Sequence, residues 1–104
     1  MRRLVIGILV LSAVGMPAAQ AQDMTSLLQA NACSACHQAE ARMVGPSWKE
    51  IADRYRDGSK TAAQLSESIK NGGSGIWGAV PMPPQVQLND ADRLSIAEWI
   101  LSSH

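Results

Sequence analysis

Two cysteines separated by two residues and followed at once by a histidine, Cys33-Ser34-Ala35-Cys36-His37, constrain this chain more than any other stretch. That order is the attachment signature of c-type haem. The spacing has a chemical reason: each thiol adds across one porphyrin vinyl group, and the imidazole of the next residue then reaches the iron from one face. Other uses of the pair fit less well. A structural disulfide suits an exported protein with an even cysteine count, but the histidine directly after the second cysteine favours haem. A thioredoxin-like CxxC calls for alternating strands and helices nearby, and no such pattern is visible. A closed zinc site needs four ligands, and the only other histidine is His104.

A haem iron that carries electrons takes a second axial ligand, and a methionine thioether in that place raises the potential. Met24, Met43 and Met82 are the soft ligands outside the N-terminal stretch. Met24 falls in the apolar stripe of a predicted helix. Met43 follows His37 so closely that reaching the opposite haem face requires a near-extended wrap round its edge. Met82 is distant in sequence and sits in Pro81-Met82-Pro83-Pro84, where a loop stiffened by prolines can hold a weak thioether at the iron. His37 and Met82 are therefore the expected axial pair, clamping one haem. His104 is expected to be frayed and solvated.

A chain of 104 residues has room for one small domain. Arg2 and Arg3, an apolar run over 4–14 and Ala19-Gln20-Ala21 have the order of a secretory signal peptide, here 1–21, which leaves a domain at 22–104. The apolar run is shorter than the roughly 20 residues of a membrane span, so no stable membrane insertion is expected. In an oxidising compartment paired thiols form a disulfide unless other chemistry claims them, and thioether bonds to haem do so. Formal net charge is +0, and removal of the leader arginines turns the remainder mildly acidic. Without a broad basic field, nucleic acid is excluded as a partner. A domain this small needs a staple or cofactor to complete its core, and an apolar porphyrin fits a chain that has no Phe.

Apolar periodicity predicts an all-α domain of about four helices. The first spans 23–32, capped by Asp23, with Met24, Leu27 and Leu28 inward. After a connector over 38–45, Ser47 and Glu50 have capping-box spacing and open a helix to about Arg56, burying Trp48, Ile51, Ala52 and Tyr55. Thr61 and Gln64 repeat that spacing and start a third helix with Ala62, Leu65 and Ile69 inward, ended by Asn71-Gly72-Gly73. A Gly- and Pro-rich strap over 72–84 follows. Asn89 or Asp90 caps the last helix, with Leu94, Ala97 and Leu101 as one stripe broadened by Ile96, Trp99 and Ile100. This helix is expected to cross the first. Two residues keep two roles open. Pro46 either accepts the second ring N–H of His37 through its carbonyl or prepares the next helix. Trp77 either donates its indole N–H to a haem propionate or fills the core.

The pentapeptide, Met43-Val44-Gly45-Pro46, Ile69-Lys70-Asn71-Gly72 and Gly75-Ile76-Trp77-Gly78 with Pro81-Met82-Pro83-Pro84 together resemble the small bacterial class I cytochromes c of the c-551 type. The resemblance implies a helical cytochrome c fold round one covalent haem c, attached at Cys33 and Cys36, with His37 and Met82 axial. It also implies that the Pro46 carbonyl is the partner of His37 and that Trp77 is the propionate donor. The activity implied is that of a monomeric periplasmic electron carrier, not an enzyme, docking transiently with redox partners such as a nitrite reductase, a terminal oxidase or a quinol-oxidising complex. Its rivals are an open-site haem enzyme or gas-binding protein of small-peroxidase type, and a domain that uses haem only as a staple. The sequence departs from the family pattern at three places. Ser68 stands where a base often helps hold a propionate, Gln85 where an Asn often steadies the methionine sulfur, and Leu28 where the first helix often has an aromatic.

Overall fold

The computed structural model describes residues 5–10, 12 and 19–104. Much of the expected leader (1–4, 11 and 13–18) lies outside the described residues. Among the described residues there are five helices: α1 (Ala19–Ala30), α2 (Cys33–Cys36), α3 (Trp48–Arg54), α4 (Ala62–Asn71) and α5 (Asp90–Ser102). Among the described residues the only β pairing is two isolated bridges, His37 with Arg42 and Gly73 with Met82. The fifth element beyond the four expected is the single turn Cys33–Cys36 itself.

Helix α1 differs from expectation at both ends. It starts at Ala19, so Asp23 lies inside the helix and is not its cap. Ala, Gln, Met and Leu all favour helix, and nothing ahead of Asp23 stops the turn from propagating backward. At the other end the helix stops at Ala30 instead of running into the cysteines. The Asn31 side-chain amide donates to the Leu27 carbonyl at 2.9 Å, and Ala32 takes a left-handed conformation at φ 58°. Ala32 is the only non-glycine residue with positive φ among those described. A left-handed alanine is disfavoured by roughly 1–2 kcal/mol, so surrounding packing imposes this bend. It turns the chain so that α2 presents both thiols on a new axis.

The next two helix starts follow the sequence closely. Ser47 Oγ accepts from Glu50 N at 3.0 Å while Glu50 Oε1 accepts from Ser47 N at 3.0 Å. Thr61 and Gln64 make the same reciprocal pair. For α5 the cap is Asn89, whose Oδ1 accepts from Asp92 N at 2.8 Å. These signals were readable because every partner lies within one turn.

Helix α5 packs most extensively on α4 and then on α3. The expected crossing with α1 is the smaller part of the closure: α1 lies chiefly against α2 and joins the common core through Leu28. That core unites Leu28, Trp48, Ile51, Leu65, Ile69, Leu88, Ile96, Ala97 and Ile100. The buried stripe of α5 is Arg93, Ile96, Ala97 and Ile100, at i, i+3, i+4 and i+7. Leu94, expected inside, is 38% exposed. The helix is rotated because Arg93 occupies the inner face at 4% exposure. Its guanidinium donates to the Leu88 carbonyl and pairs with Asp90, holding the turn that leads from the strap into α5.

Ser47 is fully buried and supplies half of a capping box. Ser47→Ala is expected to lower stability by about 1 kcal/mol, measured as the denaturant midpoint at unchanged m-value.

Candidate functional site

The C-terminal residue of the α2 turn places His37 at the wall of a cavity of about 400 Å³, within the range of cofactor sites. His37 is 8% exposed. Its Nδ1 lies 2.6 Å from the Pro46 carbonyl oxygen. A carbonyl only accepts, so the ring proton sits on Nδ1 and the Nε2 lone pair is left for a ligand. Trp48 stacks on the imidazole at 4.7 Å between centroids and 26° between planes. Gly45 passes so near that a Cβ there would lie 2.7 Å from His37 Cε1. The connector over 38–46 reaches this position because Gly45 N donates to Cys36 O at 2.9 Å and Trp48 N to Gln38 O at 2.9 Å.

Cys33 and Cys36 line the same cavity as free thiols. Burial pushes the Cys33 thiol above its ordinary range, only partly offset by its backbone hydrogen bond, and the neighbouring Cys36 adds to the rise. Redox-active CxxC pairs show the reverse, a depressed value that yields a thiolate. Among the described residues no cluster of three or more His, Cys, Asp or Glu side chains could hold a metal ion.

Met82 reaches the cavity from the strap. Gly73 and Met82 exchange both backbone hydrogen bonds, Met82 N to Gly73 O at 2.8 Å and Gly73 N to Met82 O at 3.0 Å. Gly72, at φ 65°, makes that crossing possible, since a Cβ there would collide with Met82 O and lie 2.8 Å from Pro83 C. Gln85 N then ties the strap to Ile69 O at 3.1 Å. The Gln85 side-chain amide donates to Pro83 O at 2.9 Å, so it braces the loop backbone. Met24 packs against the hydrophobic core, and Met43 is 57% exposed.

Trp77 also lines the cavity and is half-buried. The Arg54 guanidinium lies over its ring at 4.7 Å and Tyr55 meets it edge-on at 6.3 Å. Two arginines hold the backbone here, Arg54 through Ile76 O at 3.1 Å and Arg42 through Trp77 O. Sequence reading gave neither arginine a role, because both contacts are to backbone carbonyls more than 20 residues away. The remaining wall is apolar core turned outward: Ile51, Leu65, Ile69, Ile96 and Ile100. A flat apolar group carrying a metal suits this enclosure, with two thiols at one edge, one free imidazole nitrogen and one thioether.

His104 is not frayed. Its ring meets Trp99 edge-on at 4.7 Å, and its backbone oxygen accepts from Arg56 at 3.2 Å. Nε2 is buried without a hydrogen-bond partner, and this burial lowers its pKa below the ordinary 6.5. It is absent from the cavity wall.

Comparison with known proteins agrees with this chemistry. The family model for cytochrome c matches residues 15–104. A cytochrome c-552 of Nitrosomonas europaea is 47% identical over 85 residues, covering 82% of each chain. A cytochrome c-551 of Stutzerimonas stutzeri is 39% identical over 103 residues, covering 98% of each. The crystal structure of wild-type Nitrosomonas europaea cytochrome c552 superposes with a TM-score of 0.72 at 46% identity, covering 77% of this chain and 99% of that one.

Two outcomes follow from the geometry. Gly72→Ala should destabilise by more than about 1 kcal/mol, read from denaturant unfolding, because it adds both a positive-φ penalty and a backbone collision. For His104 the folded state disfavours the proton, so stability is full above pH 6.5 and falls as pH drops from 6.5 toward the lower folded value. His104→Gln should remove that part of the pH dependence in thermal unfolding scans.

Proposed function

The chain belongs to the cytochrome c family, and on that premise we propose that it is a periplasmic electron carrier whose haem is held by Cys33, Cys36, His37 and Met82. Its cofactor is one covalently attached haem c, and its role is electron transfer through that group by docking with redox partners. When bound, the haem supplies an iron that alternates between ferrous and ferric states. The observation that carries the assignment of residues is that one apolar-walled cavity is lined by both thiols, the imidazole and the thioether.

Each side chain has a distinct task. Cys33 and Cys36 offer thiols for two thioether bonds on adjoining faces of one turn. His37 offers Nε2, aimed by the hydrogen bond that its Nδ1–H donates to the Pro46 carbonyl at 2.6 Å. Met82 offers a soft sulfur from a loop that is braced at Gly73, Ile69 and Pro83 and so cannot easily swing away. With both axial positions taken by protein donors, no coordination position would be left for a substrate, which supports carrier over enzyme. The aliphatic wall excludes water and favours the less charged, reduced state of the site. Trp77, on the wall of the same cavity, is read as the donor to a propionate.

Export is supported by the leader-like order of residues 1–21 and by the exposure of its described apolar part. Val5, Ile6, Ile8, Leu9 and Val10 are 79–91% exposed and take no part in the core. No described helix is long and apolar enough to cross a membrane.

The test is spectroscopic. Protein matured with haem-attachment machinery should give a pyridine haemochrome of a doubly thioether-linked haem and a low-spin visible spectrum. Met82→Ala should abolish the near-infrared band of iron–sulfur ligation. A persisting band places the ligand elsewhere, and a high-spin ferric spectrum with rapid carbon monoxide binding in the unmodified protein assigns an open site instead.

A further inference from the structure

The cavity wall carries cations but no carboxylate. Arg42 and Lys60 line it, and no Asp or Glu does. Arg42 is already committed, to Glu50 at 3.4 Å and to the Trp77 carbonyl. Lys60 is different. Among the described residues the four ion pairs are Arg42–Glu50, Lys49–Asp53, Arg56–Asp53 and Arg93–Asp90, and none includes Lys60. Its ammonium is half-buried, donates to Ser68 Oγ at 2.8 Å and lies 5.2 Å above the Tyr55 ring. Ser68 Oγ passes its own proton to Gln64 O at 3.2 Å, so the hydroxyl is oriented to accept from Lys60. An ammonium has three donors, and one is used here. A partly desolvated cation with spare donors on an apolar wall is stabilised by an anion inside the cavity.

We propose that Lys60, oriented by Ser68, is the positioning residue that binds a propionate carboxylate of the haem at this end of the cavity. This rests on the haem-carrying function proposed above. Haem carries two carboxylates on one edge of an otherwise apolar plate, and Ile51, Leu65, Ile69, Ile96 and Ile100 on the cavity wall would hold the apolar part. It also gives Ser68 a role, as the hydroxyl that holds the ammonium. The charge at that point is supplied from the loop ahead of α4, eight positions earlier in the chain, and the serine becomes its anchor. Trp77 lines the same cavity, edge-on to the Tyr55 ring above which Lys60 sits. The remaining charged or titratable groups near this end are Arg42 and Tyr55 on the wall and Arg54 behind Trp77.

The test uses the assembled haem protein and measures reduction potential between about pH 3 and 8, a range that spans an ordinary carboxyl and one lowered by an adjacent cation. Lys60→Gln is compared with Lys60→Arg and with Lys49→Gln. The last removes the same formal charge from an exposed Lys49–Asp53 pair outside the cavity wall. An adjacent cation lowers a carboxyl pKa, so Lys60→Gln should move the pH at which the potential falls upward by about one unit. It should also lower the potential of the fully ionised form, since a positive charge that disfavours the ferric state is gone. Lys60→Arg should restore both, and Lys49→Gln should leave both unchanged. If Lys60→Gln titrates like Lys49→Gln while the spectrum still shows six-coordinate haem, the Lys60 assignment is overturned and the carrier function stands. If Lys60→Arg titrates like Lys60→Gln, charge at this position is not what the site uses, and the assignment also fails. A protein that matures without haem overturns both.

Discussion

The imidazole of His37 is immobilised on three sides, and the rest of the molecule is arranged to make that possible. Its Nδ1 is 2.6 Å from the Pro46 carbonyl, its face is stacked on Trp48, and Gly45 crowds its edge. A hydrogen bond alone would fix the tautomer but allow the ring to rock; stacking restricts the plane, and the close glycine removes the space to move into. All three contacts come from residues 45–48, which lead into the first turn of α3. The capping box at Ser47 and Glu50 therefore does more than start a helix: it locks the backbone that delivers the carbonyl, the glycine and the indole together.

The strap that carries Met82 is built by a different principle. The strap has no helix of its own, so its backbone groups find partners elsewhere. Gly73 and Met82 pair with each other, Gln85 N goes to Ile69 O, and Arg42 and Arg54 reach across to the carbonyls of residues 77 and 76. Buried Arg93 fastens the far end through Leu88 O. Three arginines thus act on carbonyls, for which the multiple donors of the guanidinium are suited. The methionine is held by a loop made rigid from outside, not by local propensity.

Cavity and core share their residues. Ile51, Leu65, Ile69, Ile96 and Ile100 pack the helices on one side and face the cavity on the other. A chain this short has little apolar surface to spend on separate structures, so the flat prosthetic group of a cytochrome c completes the core it occupies. This dual use also explains why the helices meet through α5 against α4 and α3, the elements that carry these residues.

Local chemistry was fully legible in the sequence. The Cys-x-x-Cys-His run and the reciprocal caps at Ser47 and Thr61 express interactions within a few residues, where side-chain type and spacing are sufficient. Tertiary structure decided what depends on distant partners. It bent the chain at Ala32, turned Leu94 out and Arg93 in, and set His104 against Trp99. Periodicity ranks side chains by hydropathy, so it cannot foresee an arginine buried because carbonyls await it, or a lysine whose neighbour in space is a serine on the next helix.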